Sequence, residues 1–153
     1  MERNEVISFD AEIIPGKSIG GISIGEDVIS VLDKLDNGQG IEESVFSNFG
    51  VKYYLYSINN GIINFTTKDD GVVLALWCGI GYKGSYKGRY YPGVTVKDIK
   101  INFKSKELYG GYLVLDNNYN IYYGLPEEFD DYDNFCQLND EIIFEDLYVG
   151  KLR

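Results

Sequence analysis

Three apolar runs of strand length, spaced by short turn sequences, constrain this chain more than any other feature. Val51 to Ile58, Ile62 to Thr67 and Val72 to Cys78 are separated by Asn59-Asn60-Gly61 and by Lys68-Asp69-Asp70-Gly71. Turns of Asn-Gly and Asp-Gly type accept positive φ and join strands antiparallel, so the stretch reads as a meander. The third run, Val72-Val-Leu-Ala-Leu-Trp-Cys78, is apolar at successive positions, which predicts a central strand covered on both faces.

The remaining elements are shorter. Val6 to Ile14 alternates loosely and stops at Pro15-Gly16, as a strand and turn would. Val28, Val31, Leu32 and Leu35 fall at helical spacing, Glu26 and Asp27 suit the positive end of a helix dipole, and Asn37-Gly38 supplies a stop. Thr95 is placed to cap a second helix over Val96 to Phe103. Tyr112 to Leu115 and Asn120 to Tyr123 form a hairpin across Asp116-Asn117-Asn118, Pro126 to Asn134 an acidic loop, and Ile142 to Val149 a closing strand. The expected class is α+β in a single domain over residues 1–153: a mainly antiparallel β-sheet, meander or sandwich-like, with one or two short helices. Pro15-Gly16 ahead of Ile22 to Val28 echoes Pro92-Gly93 ahead of Val94 to Ile99, as two strand-helix units would.

Charge is segregated along the chain. The net charge is −10, yet residues 51–107 carry nine bases against four acids, whereas Leu108 to Gly150 carries ten acids and no base. Such a surface repels nucleic acid and steers basic polypeptides towards it. No run approaches the roughly 20 apolar residues of a membrane-spanning helix. With two cysteines, Cys78 and Cys136, and no leader-like start, a cytoplasmic location is expected.

Several pattern matches fail on physical grounds. Ala11 to Ser18 satisfies a relaxed phosphate-loop pattern, but Ile13-Ile14-Pro15 is stiff and no helix follows at once. Gly79-Ile-Gly81-Tyr-Lys-Gly84 matches the dinucleotide fingerprint without the following helix, so a glycine-rich loop is the better account. Asp116, Asn118, Asn120 and Glu127 have calcium-loop spacing, but Ile121 stands where that loop requires Gly. The Tyr-Lys repeats of residues 82–91 are expected to place tyrosines against strands and lysines in solvent. There is no histidine, hence neither the usual base near neutral pH nor the commonest zinc ligand. No cofactor, metal site or catalytic residue is expected; carboxylate acid-base work is the one enzymatic route left open.

The segment Pro15-Gly-Lys-Ser-Ile-Gly-Gly-Ile-Ser-Ile-Gly25, followed by Glu26-Asp27-Val28, with later Asn60-Gly-Ile-Ile63 and Tyr82-Lys-Gly84, resembles small bacterial proteins found among polymorphic-toxin genes. In size, acidity and tyrosine content the chain is similar to immunity proteins of contact-dependent growth inhibition. That resemblance implies a protein partner, a cognate toxin domain of basic nuclease type, which an acidic surface would occlude. Glu127, Glu128, Asp130, Asp131, Asp133, Asp140 and Glu141 would supply charge, with Phe129, Tyr132 and Phe135 interleaved as aromatic anchors. The competing reading of this stretch is a solvated loop with Phe129 and Phe135 pinned to the core. A non-enzymatic assembly module and a small carboxylate hydrolase or ligand-binding domain are the alternative functions.

Overall fold

The structure is a computed structural model that describes residues 6–35, 39–102, 106–125, 135 and 138–151. A two-residue hairpin, β1 (Ser18–Ile19) and β2 (Ile22–Ser23), leads into helix α1 (Val28–Asp33). Four strands follow: β3 (Ile41–Asn48), β4 (Val51–Ile58), β5 (Ile63–Thr67) and β6 (Ala75–Cys78). Strand β7 (Val94–Thr95) introduces helix α2 (Val96–Asn102), after which come β8 (Lys106–Tyr109), β9 (Tyr112–Leu115), β10 (Asn118–Gly124), β11 (Ile143–Phe144) and β12 (Leu147–Val149). The fold is α+β and mainly antiparallel β.

Eight strands make one antiparallel sheet in the order β3-β4-β5-β6-β12-β10-β9-β8. That order is a palindrome of two meanders, each running from an outer strand inward and meeting at the β6–β12 seam, where Trp77 pairs with Tyr148. The helices obey the same symmetry. Ahead of α1, the backbone N–H of Gly25 donates to Val73 O and that of Val28 to Gly71 O; ahead of α2, Gly93 donates to Phe144 O and Val96 to Ile142 O. Residues 71–73 lead into β6 and residues 142–144 into β12, so each half closes a helix start against the approach to its central strand.

The two strand-helix units correspond in topology, but in a different register from the sequence echo. Gly25 matches Gly93, and Asp27 matches Thr95, rather than Gly16 matching Gly93 and Asp27 matching Asp98. The capping chemistry agrees: the Asp27 carboxylate accepts from Ile29 N at 2.9 Å and the Thr95 hydroxyl accepts from Asp98 N at 3.2 Å. One turn later Val31 and Ile99 occupy equivalent buried positions.

Paired residues of an antiparallel ladder point to the same side, so register sorts the sheet into two faces. Ile63, Phe65, Leu76, Cys78, Leu147, Val149, Ile121, Tyr123, Leu113 and Leu115 form the inner face and are buried with Val31, Val96, Ile99 and Phe144 in one core. The outer face carries Asn64, Trp77, Tyr148, Tyr122 and Tyr112.

Four expectations need correcting. Residues 6–13 are not a strand; their backbone groups bond to scattered partners, Ile7 N to Lys34 O, Ser8 N to Gly20 O and Ile13 N to Ser85 O, and Ile14 makes only an isolated bridge to Ser18. The strand buried along its whole length is β5, not β6, on which Ala75 and Trp77 are half-exposed. The closing strand is broken into β11 and β12, because the first pairs with β7 and the second with the central sheet. Strands β3 and β8 carried too little apolar alternation to be read in advance: seven of the eight β3 residues are exposed.

Candidate functional site

The inner face of the sheet packs into the core, whereas the outer face presents partly exposed aromatic rings. Trp77 stacks on Tyr148 with ring centroids 5.2 Å apart, and Tyr148 stacks on Tyr122 at 5.6 Å with planes 6° apart. Tyr112 stands edge-on to both, at 4.9 Å from Tyr122 and 5.8 Å from Tyr148. The four rings cross the β6–β12–β10–β9 strands as one continuous ladder. Beneath them Val114, on the same side of β9, is wholly buried apart from the main core.

Burial leaves its mark on the phenols. Tyr122 is pushed up to about 12, first by desolvation and then by the adjacent Tyr112. Tyr148 is raised as well, by desolvation and by the Asp146 carboxylate. A phenol whose folded pKa lies above its unfolded value adds stability that is present in full below pH ~10 and lost as pH climbs through the folded pKa. Spectrophotometric titration of the native protein should therefore show Tyr122 ionising at about 12, with its signal joining the bulk tyrosine transition near pH ~10 after denaturation and missing altogether in Tyr122→Phe.

At one end of the ladder lies a cavity of about 270 Å³, lined by Gly110, Gly111, Tyr112, Gly124, Leu125, Ile143, Glu145, Asp146 and Tyr148. Asp146 lies in the turn between β11 and β12, and burial together with neighbouring Glu145 raises its carboxyl above the ordinary aspartate value. Its stabilising, protonated form is fully present below the unfolded pKa and lost as pH rises through the folded one, so the ionised carboxylate is a cost at neutral pH. Asp146→Asn should accordingly raise stability at pH 7, with the gain vanishing in urea titrations at pH ~3.

The strand positions of this outer face include Glu42, Tyr53, Asn64, Trp77, Tyr148, Tyr122, Tyr112 and Glu107, and among the described residues none is Lys or Arg. Lys68, from the connection after β5, places its ammonium 6.0 Å over the Tyr53 ring, and other bases are paired elsewhere. Lys34 pairs with Glu26 at 2.6 Å, Lys87 with Asp116 at 3.0 Å and Lys100 with Asp140 at 2.8 Å.

No family model matches the sequence, and no curated protein matches it. Among solved structures the chain is similar to the crystal structure of the uncharacterized protein YfeY from Escherichia coli, with a TM-score of 0.61 at 11% identity, covering 94% of this chain and 99% of that one. At that identity the likeness is one of fold.

The residues expected from sequence to bind a partner divide. Glu127, Glu128, Phe129, Asp130, Asp131, Tyr132 and Asp133 lie outside the described residues. Phe135 is 3% exposed and belongs to the core, so its ring is a packing residue and not an interface anchor, as the competing reading had it. Asp140 holds Lys100 of α2, which neutralises its charge locally, and Glu141 is exposed. The Trp77–Tyr148–Tyr122–Tyr112 ladder was missed. Period-two alternation within each strand marks the outward positions, but their adjacency depends on the β6–β12 and β12–β10 pairings, which cross 69 and 26 positions of sequence respectively in the register Cys78↔Leu147 and Tyr122↔Tyr148.

The discarded motifs have structural employment. Lys17 is exposed on a turn whose Gly16 N–H donates to Asn120 O. Asp116 accepts from Tyr90 and Lys87, and Asn118 accepts from Asn120 N, which uses the carboxylate and amide oxygens of that turn. Tyr82 and Tyr90 of the Tyr-Lys segment are buried, with the Tyr82 hydroxyl donating to Ala11 O at 2.7 Å, while Lys83 and Lys87 face solvent. Burial, and then the Asp146 carboxylate, raise the Cys78 thiol far above its usual value, which disfavours the reactive thiolate.

Proposed function

We propose that the protein is a binding domain that docks a basic polypeptide on the outer face of its sheet, and that the partner is the cognate toxin domain implied by the resemblance to immunity proteins. The observation that carries this reading is the aromatic ladder itself. Half-exposed Tyr and Trp in contact with one another, on a face whose described strand positions bear carboxylates and no base, match the residue types that dominate binding energy at protein interfaces. Leu125, which lines the cavity at the end of that ladder, is followed in sequence by the acidic stretch Glu127 to Asp133.

Steering and anchoring predict separable effects. Association should slow as ionic strength rises, because screening acts within a Debye length of about 8 Å at physiological salt. The Trp77→Ala, Tyr148→Ala double substitution should instead weaken the complex by roughly 100-fold, chiefly through faster dissociation. The test is co-expression with the toxin domain encoded beside this gene, scored by growth, with calorimetry on the purified pair. Failure to protect cells, or a double variant that stays folded by circular dichroism and binds like the parent, removes this reading.

A specific observation favours assembly as a second reading. Strand β3 is an edge of eight residues, and Phe49 in the turn that follows it is 99% exposed. Long exposed edges pair with other strands. A Val45→Lys variant that alters the sedimentation of the isolated protein would favour this reading; identical sedimentation would reject it.

A further inference from the structure

We propose that the cavity bounded by Tyr112, Tyr148, Glu145 and Asp146 is a receptor for a single organic cation, the guanidinium or ammonium head of an arginine or lysine side chain on the docking partner. The inference rests on the reading of this face as a docking surface for a basic polypeptide and names the contact that anchors it.

The geometry is that of an aromatic corner. Tyr112 and Tyr148 both line the cavity, with centroids 5.8 Å apart and planes at 77°, so the rings make two adjoining walls instead of a closed stack. Tyr148 is stacked between Trp77 on β6 and Tyr122 on β10, and Tyr112 stands edge-on to Tyr122, which fixes both walls. A Cβ at Gly124 would stand 3.1 Å from Tyr148 Cε1, so glycine there leaves room for the ring to keep its place. With Tyr148 stacked on both sides, Tyr112 is the ring that can offer its face to an ammonium group, whose charge is drawn to the ring quadrupole, and Tyr148 closes the corner beside it.

Charge selects the sign of the occupant. Glu145 and Asp146 both line the cavity, and among the described residues neither ion-pairs with a Lys or Arg. Desolvation of Asp146 beside a second carboxylate is relieved by a cation and worsened by an anion. A guanidinium can donate to the carboxylates in a planar fork while its face lies on a tyrosine. A metal ion is disfavoured, since hard cations demand six or more oxygens and the walls here are aromatic. The size agrees: about 270 Å³ is below the roughly 300–1,000 Å³ of sites for drug-sized molecules and suits one side chain.

The test uses the whole protein and small probes, with no toxin. N-acetyl-arginine amide should give saturable NMR shifts at Tyr112, Tyr148 and Asp146, with affinity in the millimolar range expected for a fragment. N-acetyl-lysine amide in a parallel arm shows which cation is preferred; saturation by either supports the proposal. N-acetyl-citrulline amide, the neutral isostere of the arginine probe, should not saturate. The double variant Glu145→Gln, Asp146→Asn should weaken binding roughly tenfold or more, and Tyr112→Leu likewise, while Tyr112→Phe, which keeps the ring, should bind as the parent does. No saturation by either cation, equal binding of citrulline, or parental affinity in the carboxylate double variant overturns the proposal. Saturation without protection from the toxin leaves the cation site standing and removes only the identity of the partner.

Discussion

Gly84→Ala should lower the unfolding free energy by about 3 kcal/mol or more, a cost of overpacking at the upper end for single substitutions. A Cβ built at Gly84 would lie 2.1 Å from Ala11 O and 2.7 Å from Tyr82 Cε2, and the first of these is backbone that cannot rotate away. The strand-like N-terminal segment and the glycine-rich segment touch here, tied by Lys83 N to Phe9 O and Ile13 N to Ser85 O. A methyl group would separate these segments and break the Tyr82 hydroxyl's bond to Ala11 O. Gly40→Ala is the control: nothing lies within 4 Å of its Cβ, and it should change stability by less than about 0.5 kcal/mol. Urea unfolding of the two variants decides the point; equal midpoints would mean that the contact at Gly84 does not govern packing.

Phe144→Ala should cost about 3–5 kcal/mol, the range for a large aromatic removed from a filled core. Phe144 is wholly buried and stacks on Tyr123 with centroids 4.9 Å apart, and its carbonyl accepts from Gly93 N at 2.7 Å where β11 meets β7. The substitution therefore empties the volume between α2's start and the central strands. Val73, wholly buried at the equivalent place in the other half, should cost less as Ala because fewer atoms are lost. Chemical unfolding with circular dichroism measures both, and a Phe144→Ala loss no larger than that of Val73→Ala would show that the second half repacks freely.

The meander of β4, β5 and β6 was legible because its signals are local: Asn60-Gly61 and Asp70-Gly71 turn the chain within a few residues of the runs they join. Both helices were legible for the same reason, since caps at Asp27 and Thr95 act on N–H groups within three residues. Strand β3 was not, because an edge strand with one neighbour and seven exposed residues carries no burial pattern to read. Nor was residue 6–13, whose extended run looks like a strand but whose hydrogen bonds go to Lys34, Gly20 and Ser85.

By itself the sequence determined the class, the turns, the helix caps and the absence of histidine chemistry, all properties of single residues or near neighbours. Tertiary structure alone decided that two meanders meet at β6 and β12, that β5 and not β6 is buried throughout, and that Trp77, Tyr148, Tyr122 and Tyr112 become one surface. The reason is pairing over long sequence distance: a strand's own residues set which side chains point outward, but the partner strand sets which of them become neighbours.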